Sequence, residues 1–234
     1  MKFRNTILLT ATLSLLVSTL FAQKKITYGI SLDIFQTKLN NVDRENFSGY
    51  GHSVPGFKQN DRLGFGLTFL ASKPIYKNFS FETGLGGTNF NSQFLFRYYD
   101  QNRSDSVNTK FNISLYYLKI PLLISYNYPI NSNSKLNFSI GADLRFLLLS
   151  NDNFDKINNY FINLGNNRYH LFIPSLITRI GYTANLKSNK RIRAEFFIGK
   201  DLNTIMTFRW GFYENLSTAS YLNYGLSLQY FFTK

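Results

Sequence analysis

The chain has no cysteine, which excludes disulfide frameworks, thiolate zinc sites, iron–sulfur clusters and cysteine nucleophiles. Its two histidines, His52 and His170, leave little material for metal or acid–base chemistry. After residue 22 no apolar run approaches the roughly 18 residues of a membrane-spanning helix. Acidic residues are scarce, 13 against 26 basic ones, for a formal net charge of +13. An imbalance of that size first suggests nucleic acid or a membrane surface. What the chain has in quantity is aromatic, 24 Phe and 16 Tyr, within a hydrophobic content of 44%, too much for a disordered chain. Its 234 residues are enough for a sizeable core and suit one large domain or two small ones, and with no internal repeat or linker visible one domain is the economical reading.

Lys2 and Arg4 head an apolar stretch from Ile7 to Phe21, followed by Ala22. Basic head, short apolar run and small residue form the pattern of a secretory signal, expected at 1–22 with cleavage before Gln23. The run is shorter than the roughly 20 residues a membrane anchor needs. Residues 23–234 are then the mature domain, and export removes nucleic acid as a physiological partner.

Beyond the signal the pattern has period two. In 136–148, Leu136, Phe138, Ile140, Ala142, Leu144, Phe146 and Leu148 share one face of an extended chain, and Asn137, Ser139, Gly141, Asp143 and Arg145 the other. The same split recurs at 26–34, 62–71, 79–87, 116–128, 172–186, 192–199 and 222–232, which predicts eight strands. Long polar segments at about 36–61, 91–111, 150–170 and 200–219 alternate with short connections at 73–78, 128–135 and 187–191. Long on one side and short on the other is the signature of a barrel inserted from the periplasm of a Gram-negative cell. The expected fold is all-β: an eight-stranded antiparallel up-and-down transmembrane β-barrel with four long outer loops and three short periplasmic turns. A soluble barrel or sandwich would show the same alternation. The faces decide between them. Glycines such as Gly29, Gly64, Gly66, Gly141, Gly181 and Gly225 fall on the polar face, which suits a narrow interior. Bulky residues, with Tyr116, Tyr128, Tyr182 and Phe232 near strand ends, fall on the other and match a lipid-facing belt.

This register places Asp33, Glu82, Asp143 and Glu195 in the interior with Arg62, Lys119, Arg145, Arg179 and Arg193. Four acids against five bases predict a structural network of ion pairs, and eight strands enclose a space that side chains can just fill. The excess positive charge falls at the short turns, where Lys73, Lys77, Lys135, Lys187, Lys190 and Arg191, with Lys24, Lys25 and Lys234, form a basic periplasmic rim. That rim would meet anionic headgroups of the outer-membrane lipid or dock an acidic periplasmic partner.

The segment Tyr116-Tyr117-Leu118-Lys119-Ile120-Pro121-Leu122-Leu123-Ile124-Ser125-Tyr126 resembles the "YLEIPLLLKY" strand of PorT-like outer-membrane β-barrel proteins. Phe138-Ser139-Ile140-Gly141-Ala142 resembles the strand after the next short turn, and Leu226-Ser227-Leu228-Gln229-Tyr230-Phe231-Phe232 resembles the terminal strand. Lys119 departs from the pattern, standing where an acid is common. The resemblance implies fold and location, porin-like in architecture. It does not carry the secretion role of the family's namesake to this chain.

No catalytic, cofactor or metal site is expected, and the chain is read as a non-enzymatic binding, structural or secretion-accessory component with a lipid surface and an unidentified periplasmic or surface protein as partners. The alternative is a rim-active lipid-modifying enzyme or hydrolase built on His52 or His170, with Ser53, Asp61, Asp152 and Asp155 in similar territory. A narrow channel is a further alternative. Phe94, Phe96 and Tyr98 beside Arg97 and Arg103 have the look of an aromatic–basic patch, but their alternation reads better as the third strand continuing above the membrane. Gly84-Leu85-Gly86-Gly87 lies within a strand and reads as close packing rather than a phosphate loop.

Overall fold

An extended chain sends successive side chains to opposite faces, so the alternating segments can form a wall with two different solvents on its two sides. The computed structural model describes residues 25–40, 57–100, 105–152, 169–186, 190–209 and 216–232, and every element in them is a strand. In chain order these are β1 (Thr27–Asn40), β2 (Phe57–Asp61), β3 (Leu63–Tyr76), β4 (Phe79–Asp100), β5 (Asp105–Asn131), β6 (Ser134–Asp152), β7 (Phe172–Asn185), β8 (Arg191–Asp201), β9 (Met206–Arg209) and β10 (Leu216–Phe232). Eight of them pair antiparallel in the order β1-β3-β4-β5-β6-β7-β8-β10, and the β1–β10 ladder closes the ring. The expected eight-stranded antiparallel barrel is the observed fold. The two additional strands sit at the end away from the short turns, β2 on β4 and β9 on β10.

One rung can be followed around the whole wall. Phe65 faces Ile34, and the path continues through Leu226, Phe196, Ile180, Phe138 and Tyr126 to Phe79. It returns to β4 ten residues before Asn89, the residue that faces Phe65 directly. That offset is the shear of the barrel, and with eight strands it tilts them by about 40° to the axis. Every side chain on this rung points outward.

The outward face is predominantly apolar. Leu32 is 54% exposed, with Leu67 and Leu228 opposite it on the neighbouring strands and exposed as well. Phe65, Phe69, Ile140, Leu226 and Phe196 extend the same surface. Buried positions carry the charges instead, including Asp33, Glu82, Arg145, Arg179, Arg193 and Glu195. A contiguous apolar exterior around a charged interior reverses the order of a water-soluble protein. It is the order a bilayer selects.

All four of the expected long segments retain more strand than the alternation alone suggested. Residues 91–111 continue the β4–β5 ladder as far as Asp100 opposite Asp105, so the third strand does run on past the barrel. The ladder from Gln93–Asn112 outward adds eight pairs, a projecting arm about 25 Å long. Both strands of that hairpin supply their own hydrogen-bond partners, which is why it needs no further wall. β2 braces its base, pairing Phe57–Asp61 with Phe96–Ser92. At the opposite end, the β3–β4 turn holds Lys77 at a φ of 41°, a left-handed conformation that usually falls to Gly or Asn in two-residue hairpins.

Glycine placement solves an interior packing problem. Phe35 points into the lumen with Gly64 and Gly225 as its ladder neighbours on either side. A side chain at Gly64 would collide with the Phe35 ring, and one at Gly225 would lie 2.5 Å from its Cβ. Gly29 makes the same room for Phe231. Small beside large lets an eight-stranded lumen accept whole aromatic rings.

Candidate functional site

Interior-facing residues of the eight barrel strands meet in the lumen, and their side chains bond across it. At the short-turn end, the Arg193 guanidinium donates to both carboxylate oxygens of Glu82, at 2.8 and 2.9 Å. β4 and β8 stand four strands apart along either path around the ring, so this pair spans the barrel from wall to wall. Arg193 also reaches Glu195 and the Gln229 carbonyl, and Gln229 donates to Glu195 at 2.6 Å. Further along, Arg179 donates to Glu195 and to the Ser227 hydroxyl, each at 3.5 Å. The Ser227 and Ser31 hydroxyls share a 2.9 Å bond, Ser31 donates to Asp33, and Lys119 donates to Asp33 at 2.5 Å.

The network also takes in Ser72 through Glu82, Thr183 through Arg193, and Asn137 through Thr183. With those members it includes a residue from each of the eight barrel strands. Every ion pair in it is buried. Buried pairs of this kind are stable only when their remaining hydrogen-bonding capacity is met, and the hydroxyls and amides of Ser, Thr, Asn and Gln meet much of it here, Arg179 Nε excepted.

A second cluster lies toward the loop end. Arg145 bonds Asp201 and Ser175, and Ser175 donates to Asp201 at 2.8 Å. The backbone N–H of Tyr221 donates to the other Asp201 oxygen at 3.2 Å. The Arg145 guanidinium lies 4.4 Å from the centre of the Phe90 ring and 5.5 Å from that of Tyr117, within cation–π range. Phe90 in turn stacks on Tyr221 and packs against Phe35. This layer of rings and one guanidinium lies in the lumen above the ionic network.

Between the two clusters is a cavity of about 30 Å³, bordered by Asp33, Lys119, Asp143, Arg145, Arg179 and Asn223 among others. It has room for roughly one or two waters. Asp143 Oδ1, Arg179 Nε and Asn223 Oδ1 have no protein hydrogen-bond partner and lie on residues lining this space, where water can satisfy them. A larger cavity, about 150 Å³, opens at the short-turn end. Arg193, held to Glu82, lines the larger cavity, and the two cavities share no lining residue.

The sequence-predicted interior residues Asp33, Glu82, Lys119, Asp143, Arg145, Arg179, Arg193 and Glu195 are all buried. Arg62 is a correction: it is exposed and stands outside any strand, between β2 and β3. The β1–β3 ladder begins at Gln36–Leu63, so β1 does not pair with residue 62 although its parity matches the interior face. Asp201, read as loop, belongs to β8 and holds Arg145. It continues the spacing of Arg193, Glu195, Phe197 and Gly199, and that extended alternation was the available signal. With Arg62 removed and Asp201 added, five acids now face the four bases Lys119, Arg145, Arg179 and Arg193.

Of the predicted rim, Lys77 and Lys190 are exposed, and Lys135 and Arg191 are half-buried. Lys73 is a second correction: it is 4% exposed and covered rather than solvated. It faces Phe81 just before the ladder shifts register between Pro74 and Tyr76. Lys187, Lys24 and Lys234 lie outside the described residues, as do His52, Ser53 and Asp155. His170 is exposed, with its Nε2 3.2 Å from the Thr204 hydroxyl, and Asp152 accepts from neighbouring Tyr169 at 2.7 Å. Among the described residues no cluster of three His, Asp or Glu is placed to hold a metal ion.

A closed antiparallel ladder, an apolar outer belt and a charged, side-chain-filled lumen define an eight-stranded transmembrane barrel of the outer-membrane kind. No protein-family model and no curated protein matches the chain. Among solved structures it is similar to the outer membrane protein OprG from Pseudomonas aeruginosa, at 11% identity and a TM-score of 0.49, over 90% of this chain and 98% of that one. It is also similar to the outer membrane protein AlkL, at 9% identity and a TM-score of 0.41, over 90% and 92% of the two chains. The attachment invasion locus protein Ail of Yersinia pestis, solved with a heparin analogue, matches at 13% identity and a TM-score of 0.35, over 89% of this chain and 99% of that one.

Proposed function

We propose that the chain is a sealed outer-membrane barrel of the PorT-like kind. It acts as a non-enzymatic binding, structural or secretion-accessory component, contacting outer-membrane lipid along its wall and a periplasmic or surface protein at one end. The observation that carries this reading is the Glu82–Arg193 pair between opposite strands. A lumen tied across its own diameter is a plug, and its charges are consumed by one another rather than offered to a passing ion. The PorT-like placement rests on the segment from Tyr116 to Tyr126, which lies within β5 with Lys119 turned into the lumen.

Conductance tests the reading. The folded full chain, reconstituted in planar bilayers, is expected to give no discrete steps, with heat-modifiable gel mobility confirming that the barrel is intact. Reproducible steps from the wild-type chain would replace the plug with a channel.

One contact favours the rim-enzyme reading, the His170–Thr204 hydrogen bond, which places a base beside a hydroxyl. On the non-enzymatic reading His170→Ala leaves the lipid A profile, read by mass spectrometry, the same as wild type and the same as the gene deletion. A modification present with wild type and missing in both of the others would establish the enzyme.

A further inference from the structure

The larger cavity lies at the short-turn mouth, and its walls are built mostly from interior-facing positions, with Phe79 and the β3–β4 turn at its edge. Ser80, Asn127, Lys135 and Arg191 occupy the same inward register as Glu82, Ser125, Asn137 and Arg193, and Lys77 overhangs from the β3–β4 turn. The opening is therefore directed along the barrel axis toward the aqueous side. Lipid headgroups lie around the outside of the wall, off that axis.

The charge of this mouth is one-sided. No carboxylate lines the cavity; of the two beside Arg193, Glu82 has both oxygens occupied by its guanidinium, and Glu195 is held by Gln229, Arg179 and Arg193. Arg191 stacks its guanidinium over the Phe231 ring, 5.2 Å from the centre, so the charge is held at the wall. No carboxylate among the described residues pairs with Lys77, Lys135 or Arg191. Three cations around a concave, hydroxyl- and amide-lined space of about 150 Å³ suit one compact oxyanion group. A lysine retained at a left-handed turn position adds a cation where glycine or asparagine would sit without strain.

We propose that the short-turn mouth is a binding site for an oxyanion group, carboxylate or phosphate, carried by a soluble periplasmic ligand that enters along the barrel axis. This deepens the reading of the chain as a binding component, and it fails separately from that reading: the barrel stays electrically silent whether or not the mouth binds anions. The two sources of such a group are a free small anion and an acidic peptide, and the experiment has an arm for each.

The folded full chain in zwitterionic micelles is titrated by calorimetry with inorganic phosphate and, separately, with a hexaglutamate peptide. The double variant Lys77→Gln/Lys135→Gln is compared with Lys25→Gln/Lys190→Gln. The second pair removes the same charge from the same end, at exposed residues that do not line the cavity. The expected result is saturable binding of at least one probe, weakened about tenfold or more by the pocket pair and less than about twofold by the control pair. Tighter binding of phosphate assigns a free anion, and tighter binding of hexaglutamate assigns a peptide carboxylate. Equal weakening by both pairs would reduce the site to diffuse charge. Absence of saturable binding by either probe, or binding only to vesicles of anionic lipid, would overturn the proposal.

Discussion

Arg193→Met, with Glu82 left in place, is expected to lower the unfolding free energy by about 3–5 kcal/mol, the usual cost of stranding one member of a buried ion pair. The guanidinium bonds both Glu82 oxygens, at 2.8 and 2.9 Å, and the side chains of both residues are about 2% exposed. Without it Glu82 keeps only a 3.4 Å contact from Ser72. Glu195 suffers less, because Gln229 donates to it at 2.6 Å and Arg179 remains within 3.5 Å. The double variant Glu82→Leu/Arg193→Met removes both charges and fills the lumen with apolar volume, so it is expected to recover most of the loss. Urea unfolding in lipid vesicles measures all three chains. If the double variant is as damaged as Arg193→Met, the cost comes from packing around Arg193, including its position 4.9 Å over Phe231, and not from a stranded charge.

The pairing that makes this effect large was not legible in the sequence, although the residues were. Period-two parity assigns a side chain to a face, and it placed Asp33, Glu82, Lys119 and Arg193 on the inner one. Parity says nothing about which inner residue meets which. That is set by ring closure and by the ten-residue shear, which put Glu82 and Arg193 at one level on opposite strands. Arg62 and Asp201 mark a second limit. A strand ends where its neighbour stops offering backbone partners: Arg62 has the inward parity but precedes the first β1–β3 rung. Asp201 lies past the apolar stretch, yet Ser175 still faces it on β7. The aromatic interior was hidden for a related reason. Phe35, Phe90 and Phe197 have inward parity, but a ring in a narrow lumen looks unfavourable until Gly64 and Gly225 are seen beside Phe35. Individual glycines were visible on the polar face; their registration against rings was not.

The apolar belt can be tested by a substitution that a bilayer and water would treat oppositely. Leu32→Arg is expected to cost about 2–4 kcal/mol, the penalty for arginine on the lipid face of a barrel near the bilayer midplane. Leu32 is 54% exposed, midway along the part of β1 that pairs with β3, and has Leu67 and Leu228 as its outward neighbours. No acidic side chain shares that rung on either adjoining strand, so the guanidinium must snorkel or draw water into the hydrocarbon. Ile130→Arg, at a position of similar exposure beside the β5–β6 turn, is expected to cost only about 0–1 kcal/mol because the headgroup region is within reach. In a barrel surrounded by water, arginine would replace an exposed leucine at almost no cost, and the two sites would behave alike. Unfolding titrations of both variants in lipid vesicles therefore distinguish the solvents by the difference between the sites. A gap of about 2 kcal/mol or more locates Leu32 in hydrocarbon, and equal small costs would remove the membrane from the description of this wall.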